Sequence, residues 1–206
     1  MRTRHVLIAV AGIAILAFGA CRAADDGPAF IARTATPPAT PLVLSTMPSF
    51  SFTDQAGEAF GTEQLHGKPW IANFIFTRCP TICPMFTAKM AEVQTRVKAD
   101  GLDVHLVSFS VDPAFDSPEV LAAYAKEHGA DPARWTFLTG DPEAIRAAVV
   151  TGLKIAAQPV GPDQDLASVF HGSHFVLVDA EGRVRGYYDS ADADATTRML
   201  ADLQRL

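Results

Sequence analysis

An α/β domain, a mixed sheet flanked by helices, is the fold class that the order of hydrophobic patterns in this chain predicts. Three observations carry it. Trp70 to Phe76 is an apolar run of strand length, and after Pro84 the apolar residues Met85, Phe86, Met90, Val93 and Val97 follow helical spacing as far as Gly101. Late in the chain, Phe175 to Val178, the turn Asp179-Ala-Glu-Gly182, and Val184 to Tyr188 read as strand, turn and strand.

The remaining elements fall into place around these. Phe50 and Phe52 alternate with polar residues and run into a turn at Asp54-Gln-Ala-Gly57, which predicts an N-terminal hairpin. Leu102 to Val111 alternates like a strand and ends at Asp112-Pro113. Ser117-Pro118 is an N-cap followed by a first-turn proline, and the helix it starts stops at His128-Gly129. Trp135 to Leu138 is a short strand, and Asp141-Pro142 opens another helix with Ile145, Val149 and Val150 as its apolar side. Gly152 to Phe170 has no clear period and reads as a loop or an irregular hairpin, while residues 194–206 close the chain as a helix with Met199, Leu200 and Leu203 facing inward. Strand, helix, strand, then hairpin and helix is the order of a thioredoxin-like domain, here with the N-terminal hairpin and an inserted helical unit.

Ahead of the domain, residues 1–21 read as an export leader: Arg2, Arg4 and His5, an apolar stretch from Val6 to Phe18, then Gly19-Ala20-Cys21. The ending resembles the lipobox of bacterial lipoproteins, in which the cysteine becomes the lipid-modified first residue; Phe18 is bulkier than the usual residue at its position. An uncleaved anchor and plain cleavage near Ala17-Phe-Gly19 are the alternatives. Every option exports the mature domain, and a lipid on Cys21 or an uncleaved anchor keeps it at the periplasmic side of a bacterial membrane. Residues 22–47, with Pro28, Pro37, Pro38 and Pro41 among Ala, Thr and Ser, read as a tether, so the domain is expected over 48–206. The formal charge is −6, and without Arg2 and Arg4 it is −8, with 15 basic against 23 acidic residues. That balance argues against nucleic acid as a partner, since phosphates are held by Lys and Arg.

Three cysteines, at 21, 79 and 83, are too few for a disulfide scaffold. If Cys79 to Phe86 opens a helix, the spacing puts both sulfurs on one face, about 6 Å apart along the axis. That separation suits either a shared soft metal ion or a disulfide. A helix N-terminus and the neighbouring Arg78 are expected to lower the thiol pKa values. Pro80 suits an early helical position, and Met85 and Met90 have the spacing of core residues. His66, His105 and His128 read as structural or exposed. No Walker loop, G-x-G-x-x-G or G-x-S-x-G occurs, and the threonine that precedes a peroxiredoxin cysteine by three is absent.

At Phe76-Thr-Arg-Cys79-Pro-Thr-Ile-Cys83-Pro84, Val111-Asp112-Pro-Ala-Phe-Asp116 and His171-Gly-Ser-His-Phe-Val-Leu-Val-Asp-Ala-Glu-Gly182, the chain resembles the Sco/SenC family. These are membrane-tethered, thioredoxin-fold copper proteins that serve assembly of the dinuclear copper centre of cytochrome c oxidase. The resemblance spans about Pro48 to Leu206. It departs from the family at Thr81 and Ile82, where an aspartate often stands. The family's metal histidine lies eleven residues ahead of the hairpin glycine, and counting back from Gly182 gives His171.

The resemblance implies copper bound by Cys79, Cys83 and His171; His174 reads as a packed or supporting group, and Asp112 and Asp116, which follow a strand, as supporting groups or as turn and cap residues. Two thiolates and an imidazole suit both Cu(I) and Cu(II). The implied partners are the copper-accepting subunit of cytochrome c oxidase or another cuproprotein, and a copper donor chaperone. Two alternatives stay open. A thiol–disulfide oxidoreductase would attack with Cys79 and resolve with Cys83. A closed zinc site would use Cys79, Cys83, His171 and His174.

Overall fold

The computed structural model describes residues 40–79, 82–155 and 174–206, Ile82 by its backbone alone. Pro80, Thr81, His171, Cys21 and most of the expected tether lie outside the described residues. In chain order the elements are β1 (Ser45–Thr46), β2 (Ser51–Asp54), β3 (Ala59–Gly61), α1 (Thr62–Leu65), β4 (Trp70–Ile75), α2 (Ile82–Ala99) and β5 (His105–Ser110). Then follow α3 (Pro118–Glu127), β6 (Trp135–Thr139), α4 (Pro142–Ala147), β7 (His174–Val178), β8 (Arg183–Asp189) and α5 (Ala195–Leu203). The strands form one mixed sheet in the order β1-β8-β7-β4-β5-β6-β2-β3, the thioredoxin-like arrangement extended by the N-terminal hairpin β2–β3 at one edge.

All six residues of β4 are buried, because the strand is covered on both faces. Ile71 and Ile75 face α2, α3 and α5, joining Phe86, Met90, Leu121, Phe175 and Met199 in one cluster. Trp70, Ala72 and Phe74 face the other side, with Phe52, Phe109, Ile145 and Val149. β5 runs parallel to β4 from Trp70↔His105 to Ile75↔Ser110, and β7 runs antiparallel on its other side with Ala72↔Val176. One polar network interrupts these apolar layers: the Trp135 indole N–H donates to Ser108 Oγ at 2.8 Å, and Ser108 donates to Asn73 Oδ1 at 2.6 Å.

Local signals set most boundaries. Ser117 Oγ accepts the Val120 N–H and Asp141 Oδ1 accepts the Ala144 N–H, each cap followed by its proline. Asp54 Oδ1 accepts from Ala56 and Glu58, and Gly57 adopts φ +83°, which closes the β2–β3 turn. Some elements differ from expectation. α2, Ile82–Ala99, includes Pro84 rather than following it. β5 is shorter than Leu102 to Val111, because Gly101 at φ +66° and a bond from Leu102 N–H to the Val97 carbonyl still belong to the end of α2. α4 continues into a π-helical turn, Ala148–Gly152, and the segment 156–173 lies outside the described residues. Upstream of Pro48, β1 pairs with β8 and Met47 is buried.

Two of the histidines make packing contacts within the fold. His105 stacks on Phe60, with ring centroids 5.4 Å apart, and bonds Thr136 Oγ1 at 2.8 Å, while His128 packs on Tyr124. Burial, with the Lys68 charge adding to it, lowers the His105 pKa to about 4. Between the ordinary His value and that figure the unfolded chain takes a proton that the folded domain refuses. Stability from this residue is therefore complete above about pH 6.5 and lost as the pH falls toward 4. His105→Gln, which keeps a partner for Thr136, is expected to lose less stability than wild type between pH 7 and 4.5. The difference, read by denaturant titration at both pH values, should be on the order of 2 kcal/mol.

Candidate metal centre

β4 delivers the cysteines. Beyond Ile75 the chain passes through Phe76, Thr77 and Arg78 to Cys79, whose N–H donates to the Phe76 carbonyl at 3.2 Å. Cys79 itself is in neither helix nor strand, whereas Cys83 lies in α2. The two sulfurs are nonetheless brought together by a different device. The first N–H groups of a helix have no partner within it, and Cys79 Sγ accepts one of them, the Cys83 N–H, at 3.5 Å. Both cysteines are buried, at 9% and 7% exposure, and neither is in a disulfide.

Burial reverses the expected acidity at Cys83. Its thiol is pushed up to about 12, chiefly by desolvation, and the proximity of Cys79 adds to the rise; a hydrogen bond with the Phe76 backbone opposes it. The local signals (a helix start and a nearby arginine) are outweighed by tertiary packing around the sulfur. Arg78 is itself engaged. Its Nε donates to Asp112 Oδ2 at 2.5 Å, and its guanidinium carbon lies 5.2 Å from the centroid of the exposed Phe115 ring.

Asp112 and Asp116 both reach the segment ahead of Cys79. Asp116 is fully buried, at 0% exposure. It accepts the Thr77 hydroxyl at 2.6 Å, the Thr77 N–H at 3.3 Å, and the Ser110 hydroxyl at 2.5 Å. Ser110 Oγ in turn accepts the Asp112 N–H at 3.1 Å. Desolvation raises the Asp116 pKa against the lowering effect of these bonds. Thr77 and Ser110 were not singled out in the sequence; the available signal was a pair of serines, Ser108 and Ser110, at buried positions of β5. Behind the site, the Thr87 and Tyr124 hydroxyls bond at 2.8 Å and tie α2 to α3.

His174 opens β7, opposite Asp189. Strand alternation puts it on the side of Val176 and Val178, whereas its neighbour Phe175 packs on Phe86 of α2, with ring centroids 4.8 Å apart. His171 falls outside the described residues. Among the described residues, no group of three His, Cys, Asp or Glu side chains is placed to hold a metal ion. Met90 is buried as its spacing predicts, but Met85 is 66% exposed. The inward stripe of α2 is Phe86, Met90, Val93 and Val97, and Met85 lies one residue off it.

Residues 39–206 match the family model SCO1/SenC. The chain is 37% identical over 157 residues to a SCO1 protein homolog of Bacillus subtilis, covering 75% of this chain and 79% of that one. Among solved structures it resembles a SCO1/SenC family lipoprotein from Bacillus anthracis (TM-score 0.72, 38% identity, 81% and 96% of the two chains). It also resembles BsSco, a Sco-family cytochrome c oxidase assembly protein in which a disulfide switch was identified (TM-score 0.69, 33% identity, 80% and 94%). A third likeness is to Bradyrhizobium japonicum ScoI with copper bound (TM-score 0.60, 27% identity, 78% and 99%).

The acidity of Cys83 has a direct readout. In the reduced, metal-free domain, Cys83 is expected to react with iodoacetamide at pH 7.5 at least ~10-fold more slowly than an ordinary cysteine, with a rate still climbing above pH 9. Mass spectrometry of the alkylated peptide, with Cys79→Ser isolating Cys83, gives the rate; a plateau near pH 8 would contradict the assigned shift.

Proposed function

The chain belongs to the SCO1/SenC family, and on that footing we propose that it is a membrane-tethered copper-binding assembly factor. Copper is held by Cys79, Cys83 and His171 and serves maturation of the dinuclear copper centre of cytochrome c oxidase. The observation that carries this reading is the pair of buried cysteines beyond the end of the central strand, with Cys79 Sγ accepting the Cys83 N–H. Thiolate sulfur is a soft donor suited to Cu(I), and an imidazole extends the set to Cu(II). Two thiolates and a neutral imidazole leave −1 around Cu(I) and zero around Cu(II), so neither state buries a large net charge. The copper carried by the Bradyrhizobium relative supports the choice of metal.

The register of β7 supports His171 as the third donor. The pairing Ala72↔Val176 carries the start of β7 toward the end of β4 that leads to Cys79. Residue 171 is three positions ahead of that start, within about 10 Å of extended chain. His174 sits on the side of the sheet away from Phe86, which favours His171 over it and weighs against a zinc site using both.

A second reading is favoured by the same sulfur pair and by the disulfide switch identified in BsSco. Cys79 as thiolate attacks a target disulfide and releases one target thiolate. Cys83, after losing its proton, attacks the Cys79 sulfur, releases the second, and leaves a Cys79–Cys83 disulfide. The elevated pKa of Cys83 suits it to the resolving step rather than the attack.

Anaerobic titration of the soluble domain separates the two. His171→Ala is expected to weaken Cu(II) binding at least ~10-fold while the Cys79–Cys83 disulfide still forms; unchanged Cu(II) affinity would remove His171 from the ligand set. The anchor is tested separately. The relative described as a lipoprotein supports lipidation at Cys21, and in the full chain Cys21→Ala is expected to abolish incorporation of a labelled fatty acid and to shift the protein from the membrane to the soluble fraction.

A further inference from the structure

Asp112 and Asp116 have ready local explanations as a residue before proline and a residue before a helix cap. Neither explanation accounts for their side chains. The α3 cap is made by Ser117, whose Oγ accepts the Val120 N–H, so Asp116 is not needed for it. The Asp112 side chain is directed at Arg78, 34 positions away in sequence. A buried carboxylate is costly wherever an apolar side chain could fill the space. At Asp116 that cost is accepted where its carboxylate gathers the hydroxyl and N–H of Thr77 and the hydroxyl of Ser110.

The two carboxylates thus hold Thr77 and Arg78, the consecutive residues ahead of Cys79. Ser110 joins them, donating to Asp116 and accepting from the Asp112 backbone. Ser110 at the end of β5 and the connection from β5 to α3, which carries both aspartates, thereby hold the chain where it leaves β4. We propose that Asp116, aided by Asp112, is a positioning residue for the dithiol, presetting the separation of the two sulfurs. Its consequence for copper rests on the copper reading given above; its consequence for the dithiol itself does not.

Without the clamp, Cys79 samples positions away from Cys83, and the effective concentration of one sulfur at the other falls. Asp116→Ala is expected to weaken copper binding at least ~10-fold. It should also destabilise the disulfide about ten-fold relative to the dithiol, a midpoint potential less negative by ~30 mV. The potential is read by equilibration with glutathione: the two protein thiols give up two electrons and two protons as their S–S bond forms, and glutathione disulfide is reduced to two thiols. Asp116→Asn, which keeps an oxygen to accept from Thr77, should restore most of both properties. Thr77→Val, which removes only the hydroxyl donor, should shift the potential in the same direction by less. A lowered melting temperature for Asp116→Ala with wild-type potential and copper affinity would make the residue merely structural and overturn the proposal. If Asp116→Ala does not fold, a wild-type potential in Thr77→Val overturns it instead. If the wild-type domain itself fails to bind copper, the copper reading falls, and the potentials of the variants still decide the positioning role.

Discussion

β4 has no solvent-facing side. All six of its residues are buried, so the strand cannot slip by one residue without exchanging Ile71 and Ile75 for Trp70, Ala72 and Phe74 between two differently packed layers. The cysteines hang from the end of this fixed rod. Cys79 lies four residues past Ile75, and the Val111 N–H donates to the Ile75 carbonyl at 2.8 Å, which keeps the neighbouring β5 exit in step with it. Rigidity in the core thereby becomes placement at the site, carried by the backbone of β4 and β5.

Placement by burial has a chemical consequence. A thiol that is withdrawn from water holds its proton, as Cys83 does, yet the thiolate is the form that binds metal or attacks a disulfide. In the copper reading the cation supplies the missing compensation: the proton leaves as the metal arrives, and the buried charge is neutralised within the site. Without such a cation, Cys83 stays protonated and slow to react. The same burial that opposes spontaneous thiolate chemistry favours a soft monovalent cation between two sulfurs over a hydrated divalent ion such as magnesium.

The parts of this arrangement that the sequence revealed are local. The Ser117-Pro118 and Asp141-Pro142 starts, the Gly57 and Gly182 turns, and the β7–β8 hairpin each need only a few adjacent residues to specify them. The i, i+4 cysteines stood out for the same reason. What escaped was set across the fold. β1 is two residues long and owes its existence to β8. The Asp116 clamp joins residues 39 apart. Met85 differs from Phe86 only by which way the first turn of α2 faces, and no property of Met85 itself records that. The Cys83 shift was misread because a helix start and an arginine are visible in sequence, whereas the packing that desolvates the sulfur is not.

The fold also has a polarity that bears on the proposed tether. Thr40, the first described residue, lines a cavity together with Pro69, Ala180, Glu181 and Leu206. Pro69 immediately precedes β4, and Ala180 and Glu181 lie in the β7–β8 turn, so the chain enters the domain at the end of β4 opposite the cysteines. Six residues of strand, at about 3.3 Å each, separate that entry from the exit toward Cys79. A domain held at its entry therefore offers the sulfur pair at the far end of its central strand. On the proposed function, a protein exchanging metal or disulfide with the pair approaches at that far end, where Phe115 and Met85 are exposed. In the proposed tethered arrangement, the most rigid element of the fold keeps the point of attachment and the sulfur pair apart.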